Sequence, residues 1–231
     1  MKHTIALLLL AGCGVTEQTR RTFPVEIVVS APSTPLETGW TVTALEGSMP
    51  LTALRFFEGR VLVAERSWSP VDLLISTAHA HPGHYVPGEA LGEVLSPAEV
   101  DLSRRTVLSW DTANAVTGSY GSAQLSFGAA GVRVRGTASK ADQTIRFDTG
   151  ALVLTKPLEG IRFEHELNSA PGTVQLEVDL GVLLSRIEFD KALTPPNADG
   201  VVVFDVSSVA FNGFDRGVTD SGSYRFTWQS K

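Results

Sequence analysis

The feature that most constrains the fold of this 231-residue chain is a succession of short β-type runs separated by turn dipeptides. Runs of this length, rich in alternating and β-branched residues, predict strands. Glu58-Gly59, Pro171-Gly172, Asp199-Gly200 and Asn212-Gly213 supply turns between them. About fourteen runs occur, at 25–30, 40–45, 53–57, 60–64, 71–81, 122–127, 132–139, 144–147, 151–155, 160–167, 173–180, 184–189, 201–206 and 223–228.

Amphipathic helical stretches are nearly absent, which favours an all-β protein. We predict a single antiparallel β-sandwich of about fourteen short strands, with at most one or two short helical turns. One helix start is predicted at Ser96-Pro97-Ala98-Glu99, where a capping serine precedes a proline and a glutamate. Because one all-β domain can hold about 200 residues, we expect residues 23–231 to form a single domain.

The N-terminal residues carry an export signal. Lys2 precedes an apolar run, Ile5 to Leu10, that is far shorter than the roughly 20 residues needed to span a bilayer. The string Leu10-Ala11-Gly12-Cys13 follows and resembles the lipobox of bacterial lipoproteins. That resemblance implies that residues 1–12 are removed, that Cys13 is lipidated, and that 13–22 form a polar tether. Gly14 after the cysteine implies the outer membrane.

Composition argues against a disulfide-stabilised protein and against a protein that binds nucleic acid or anionic lipid headgroups. Cys13 is the single cysteine, so no disulfide framework can stabilise the mature chain. Loss of Lys2 with the signal changes the net charge from -6 to about −7. This charge disfavours nucleic acid and anionic lipid headgroups as partners, so attachment to the envelope depends on the lipid anchor.

Three of the five histidines lie in the string His79-Ala80-His81-Pro82-Gly83-His84. The preceding run predicts a strand, and side chains two apart on a strand share a face, so His79 and His81 project together. Pro82-Gly83 suits a type II turn, which brings His81 and His84 within about 7 Å. Three converging imidazoles predict a transition-metal site, and neutral imidazole suits zinc or Cu(II).

Other residues can complete the coordination sphere. His165 lies in an alternating run and shares its inward face with Ile161 and Phe163, so it is either the fourth ligand of a tetrahedral zinc site or a core histidine. Glu89 and Glu93 follow the cluster. Each is either a ligand, a second-shell partner that orients a ligating imidazole, or a solvated surface acid.

The spacing His79-x-His81-x-x-His84 is similar to the first metal motif of metallo-β-lactamase-fold hydrolases, over about a dozen residues. That resemblance implies a zinc hydrolase. However, Gly83 stands where the family has an aspartate ligand, and no histidine follows His165. A cupin would also have His-x-His on a strand, but its following glutamate is absent. Four histidines on one metal would leave no open position for water.

We therefore predict an envelope lipoprotein that captures or handles one zinc or Cu(II) ion through His79, His81, His84 and His165. An outer-membrane transporter is a candidate partner, and the leaflet, periplasmic or surface-facing, stays open. The alternatives are a mononuclear zinc hydrolase and a structural or adhesive β-domain without a functional metal. The chain has neither a Gly-x-Ser-x-Gly motif nor a phosphate loop, so no catalytic residue is assigned.

Replacing Cys13 by serine tests the lipoprotein prediction. Because serine offers no thiol for lipid attachment, we expect Cys13→Ser to yield soluble protein or unprocessed precursor instead of membrane-bound protein. Cell fractionation and mass spectrometry of the native chain give the readout. Mature protein that retains residues before position 13 and carries no acyl group would contradict the prediction.

Overall fold

The computed structural model describes residues 18–32, 35–58, 88–192 and 194–231. Within these ranges, twelve strands form one mixed sheet with two short α-helices beside it. The strands are β1 Arg20–Ser30, β2 Thr41–Glu58, β3 Ala90–Val94, β4 Ala98–Asp101, β5 Leu108–Val116, β6 Gly118–Phe127, β7 Arg133–Lys140, β8 Gln143–Asp148, β9 Leu158–Leu167, β10 Gly172–Asp179, β11 Val201–Val203 and β12 Tyr224–Ser230. The helices are α1 Leu180–Ser185 and α2 Val209–Val218, with 3-10 turns at Phe189–Lys191 and Ser221–Ser223.

Strand β2 is the centre of this sheet. Its first half pairs with β7 and its second half with β6, while β4 and β3 pair with it between Ser48 and Phe57. From β3 the sheet continues through β5, β1 and β10 to β12, and from β6 it continues to β9. One 18-residue strand therefore joins two arms of the sheet.

The arms that end in β9 and β12 curl towards each other around an aromatic core. Phe163 of β9 and Phe226 of β12 have ring centroids 5.9 Å apart. Both rings also pack on Phe56 of β2, at 5.2 and 5.9 Å. Strand alternation produces this arrangement, because every second residue of β1 from Phe23 to Val29 is buried on the same inner face.

The remaining arm, β7, β8 and β11, covers a second part of the core. Trp40 lies at the start of β2 and is fully buried against Phe189, with ring centroids 5.5 Å apart. Phe147 of β8 packs on Phe189 at 5.2 Å and stacks on Phe204 at 5.8 Å. The residue that follows Phe147, Asp148, is a buried carboxylate.

Helices α1 and α2 pack backbone to backbone. Gly213 and Gly217 lie one turn apart on α2. A Cβ at Gly213 would lie 2.2 Å from the Arg186 carbonyl oxygen, and a Cβ at Gly217 would overlap the Leu183 carbonyl. Glycine at both positions permits this approach. The predicted turn at Asn212-Gly213 is therefore wrong, because the dipeptide lies inside α2.

The all-β prediction is confirmed, whereas the single antiparallel sandwich is wrong. The described residues form one mixed sheet in which β1 pairs with β10, and β8 with β11, in parallel. Alternating burial is the same in parallel and antiparallel strands, so the sequence pattern does not reveal strand direction. Long connections bring these strands together, and their packing decides the direction.

Several local predictions also differ from the structure. Ser96-Pro97-Ala98-Glu99 does not start a helix, because Ala98–Asp101 pairs with β2 as strand β4. The runs 40–45 and 53–57 belong to one strand, 184–189 spans the end of α1 and a 3-10 turn, and 151–155 contributes only a bridge. Strand β1 begins at Arg20 instead of at Val25, where the predicted run 25–30 begins. The runs 60–64 and 71–81 and the turn at Glu58-Gly59 lie at least partly outside the described residues.

Asp148 is a buried carboxylate that pairs with two partly exposed arginines of β7. Arg133 donates from Nε to Oδ1 at 2.9 Å and from its terminal nitrogen to Oδ2, while Arg135 Nε donates to Oδ2 at 2.8 Å. The Gly150 N–H also donates to Oδ1 at 2.9 Å. Burial alone raises the pKa of Asp148, but these hydrogen bonds and the arginine charges outweigh it and lower the pKa to about 2.

The depressed pKa of Asp148 predicts acid lability. The carboxylate of an unfolded chain titrates near pH 3.9, so this stabilisation is complete above that value and disappears as pH falls towards about 2. We expect about 2–3 kcal/mol of pH-dependent unfolding free energy from this group. Urea unfolding from pH 5 to pH 2 should show this component in the native chain and not in Asp148→Asn.

Asp142→Asn is the matched control, because Asp142 is exposed in the turn between β7 and β8. Surface substitutions of this kind change stability by no more than about 0.5 kcal/mol. Equal pH profiles for the native chain and Asp148→Asn would contradict the structural role of the cluster.

Candidate functional site

One end of the curled part of the sheet forms the candidate site, and we call it the open end. It is defined by the residues at which β1, β3, β6 and β10 begin and at which β2, β5, β9 and β12 end. The strand register brings these positions together: Arg20 pairs with Val116, Gly118 pairs with Leu167, and Phe57 pairs with Ala90. The candidate ligand His165 lies here.

The histidine-bearing segment 59–87 connects two neighbouring strands at the open end. Glu58, the last described residue before it, donates its N–H to the Glu89 carbonyl at 2.9 Å. Tyr120 pairs with Glu58 on one side and with His165 on the other. Neighbouring strands are about 4.8 Å apart, so His165 lies roughly 10 Å across the sheet from Glu58.

His165 is half-buried in an aromatic setting. Its ring stacks on Trp228 with centroids 4.4 Å apart and an interplanar angle of 17°, and Phe163 lies 6.0 Å away. The predicted inward face is confirmed, since Ile161, Phe163 and Leu167 are buried while Glu164 and Glu166 are exposed. His165 therefore lies on the inner face between Phe163 and Leu167, the last residue of β9.

The environment of His165 favours the neutral imidazole. Burial lowers the pKa of His165, and the nearby Glu166 carboxylate offsets part of this effect. No hydrogen bond joins its ring nitrogens to another residue of the described ranges. A neutral imidazole with unengaged nitrogens has the protonation state that a metal requires.

Two neighbours fix the aromatic layer around His165. Gly172 lies under the Trp228 indole, where an added Cβ would fall 2.6 Å from Nε1. The Tyr120 hydroxyl is shared between the carbonyl oxygens of Val116 at 2.7 Å and Leu91 at 3.1 Å. Burial raises the pKa of Tyr120 to about 12, so the hydroxyl remains a donor to these carbonyls.

A groove of about 800 Å³ lies at the open end, beside this aromatic layer. Phe23, Leu91 and Leu167 are buried along it, and the Trp228 indole closes one side. Arg21 lines the groove from the first residues of β1. Strand alternation from Phe23 is the sequence signal that predicts the inward direction of Arg21.

Of the other predicted site residues, only Glu89 and Glu93 lie within the described ranges. His79, His81, His84 and Cys13 lie outside the described residues. Glu89 is exposed, and Glu93 lies 3.5 Å from the Arg55 Nε. Arg55 alternates with the buried residues of β2, so this pair is on the opposite face of the sheet from His165.

The described ranges contain no group of three or more histidine, cysteine, aspartate or glutamate side chains that could hold a metal ion. None of their helices is long and apolar enough to span a membrane. Comparison of the chain with protein-family models, curated proteins and solved structures finds no match. Its function is therefore inferred from its own residues.

The stacking of His165 on Trp228 predicts a lowered pKa for His165. We expect a pKa below the ordinary value of about 6.5 in the metal-free protein, because the indole keeps water from the imidazole. Trp228→Ala should move that pKa back towards the ordinary value. NMR titration of the histidine ring protons measures both, and an identical pKa in the two proteins would contradict this account.

Proposed function

We propose that the protein is an envelope lipoprotein that captures or handles a divalent transition metal, zinc or Cu(II). The observation that carries the proposal is the string His79-Ala80-His81-Pro82-Gly83-His84, where the strand and the type II turn predicted from the sequence would bring three imidazoles together. Three neutral imidazoles supply most of a tetrahedral zinc sphere. No catalytic residue is part of the proposal.

His165 is the proposed fourth ligand. Support comes from its position, since it lies two strands from Glu58, at the open end where the segment 59–87 leaves the sheet. Further support comes from its chemistry, because its pKa is lowered by burial and its ring nitrogens have no hydrogen-bond partner among the described residues. Both properties leave the imidazole ready to bind a metal near neutral pH.

Glu58, Glu89 and Glu93 differ in their suitability as second-shell carboxylates. Glu58 directly opposes Tyr120, in the same row as His165. Glu89 is exposed, and Glu93 is engaged by Arg55 on the other face of the sheet. We therefore propose Glu58 or Glu89, and not Glu93, as the partner that orients a ligating imidazole.

The lipid anchor in this proposal directs the open end towards the membrane. Cys13 precedes Arg20, where β1 begins at the open end, by seven positions. Seven extended residues span at most about 25 Å. A metal held at this end would therefore remain close to the membrane, within reach of an outer-membrane transporter.

Metal titration of single variants tests the proposal. Zinc and Cu(II) should bind the untagged mature chain with one ion per protein in isothermal titration. His81→Ala should lower the affinity by more than the roughly 10- to 100-fold that loss of an outer-shell partner causes. Binding should be lost below about pH 6, because protonated imidazole cannot ligate. Unchanged affinity in His81→Ala would contradict the metal-site proposal.

His165→Ala separates the two roles of that residue. A ligand predicts a loss of metal affinity, and Cu(II) bound at His165 should quench the fluorescence of the stacked Trp228. A core histidine predicts lower stability of the metal-free chain with unchanged affinity. Glu93→Gln is the control, and it should leave affinity within about threefold, since Glu93 pairs with Arg55.

A further inference from the structure

We propose that the groove at the open end binds a small amphiphilic carboxylate, with Arg21 as the anchor for its head group. The groove has a volume of about 800 Å³, within the range of small-molecule sites. Its lining combines an apolar floor with hydrogen-bond donors, and the residues that carry the proposal are Arg21, Phe23, Leu91, Leu167 and Trp228. This site is independent of the metal proposal.

Arg21 is the first observation behind this assignment. Its Nε is buried from solvent and makes no hydrogen bond with any described residue. By contrast, Arg133 and Arg135 face carboxylates. Arg21 as a whole is only partly buried and lines the groove, so a ligand carboxylate there would give its guanidinium charge-assisted hydrogen bonds.

The surrounding charges and donors select an anion. The Trp228 indole N–H donates to no residue of the described ranges, whereas those of Trp40 and Trp110 donate to Asp190 and to the Ser96 carbonyl. Glu93, the acid in this lining, lies 3.5 Å from Arg55 Nε in a partly exposed ion pair. The lining therefore supplies two cations, Arg20 and Arg21, and a neutral donor against one paired acid, although the chain has a net charge of -6.

The floor selects an apolar body. Phe23, Leu91 and Leu167 lie beneath the groove and are 2%, 4% and 3% exposed, and the partly buried Trp228 adds aromatic surface beside them. Strands β1, β5 and β10 pair along both edges, so among the described strands that line the groove only β9 and β12 have an edge that no described ladder pairs. A peptide bound by strand addition needs such an edge, and a free carboxylate with a hydrocarbon tail does not.

The head-group requirement is tested on the native mature chain, with decanoate as the probe and a chelator present to remove metal. We expect saturable binding of decanoate, seen by isothermal titration and by a change in Trp228 fluorescence. 1-Decanol and decyltrimethylammonium keep the tail and lose the carboxylate, and should bind at least about tenfold more weakly. Acetate keeps the head group alone and should show no measurable binding.

Substitution of Arg21 tests the anchor. Arg21→Gln should weaken decanoate binding about tenfold or more, and Arg21→Lys should recover only part of the loss, because lysine keeps the charge without the planar fork. Arg105→Gln removes the same charge from an exposed residue between β4 and β5, at the far end of β5 from the groove. It should bind decanoate like the native chain.

The outcomes separate this proposal from the metal proposal and from other ligands. Equal affinity for decanoate and decanol would overturn the carboxylate assignment. This comparison uses the native chain alone, so it does not depend on whether a variant folds. Equal loss in Arg21→Gln and Arg105→Gln would show diffuse charge attraction and also overturn it. Binding of an acidic peptide in place of decanoate would overturn the ligand class. None of these results changes the expected effect of His81→Ala on metal affinity.

Discussion

The pairing of both edges of β2 is the constraint on which the rest of the structure depends. An 18-residue strand exposes two long rows of backbone donors and acceptors, which must be satisfied wherever they are buried. Four other strands meet this need, β6 and β7 along one edge and β3 and β4 along the other. The sheet then curls from β2 in both directions, and β9 meets β12 across the aromatic core.

This curl produces the chemistry of the open end. The stack of His165 on Trp228 joins two strands that no described ladder pairs, and it keeps the imidazole half-buried, which lowers its pKa. Beside the contact between β9 and β12 lies the groove, and Arg21 in its lining has a side-chain Nε without a hydrogen-bond partner among the described residues. The proposed metal ligand and the proposed carboxylate anchor therefore belong to one end of the fold but to separate interactions.

Local sequence patterns predicted where strands lie better than they predicted which strands pair. Alternation correctly predicted the inner face of β9, including the direction of His165. Cap and turn signals failed at Ser96-Pro97 and at Asn212-Gly213. There, tertiary pairing with β2 and close packing against α1 outweighed local preference. The sequence does not distinguish Glu93 from Glu89, but the pairing of Glu93 with Arg55 directs it to the face of the sheet opposite His165.

The sequence by itself determined the β-rich class and the inward face of His165, and it predicts the clustering of His79, His81 and His84, because these properties depend on neighbours within a few residues. Only the tertiary structure decided the parallel pairing of β1 with β10, the contact of His165 with Trp228 and the isolation of Arg21 in a groove. Those contacts join residues far apart in the chain, and alternation at period two carries no information about which distant strand becomes the neighbour.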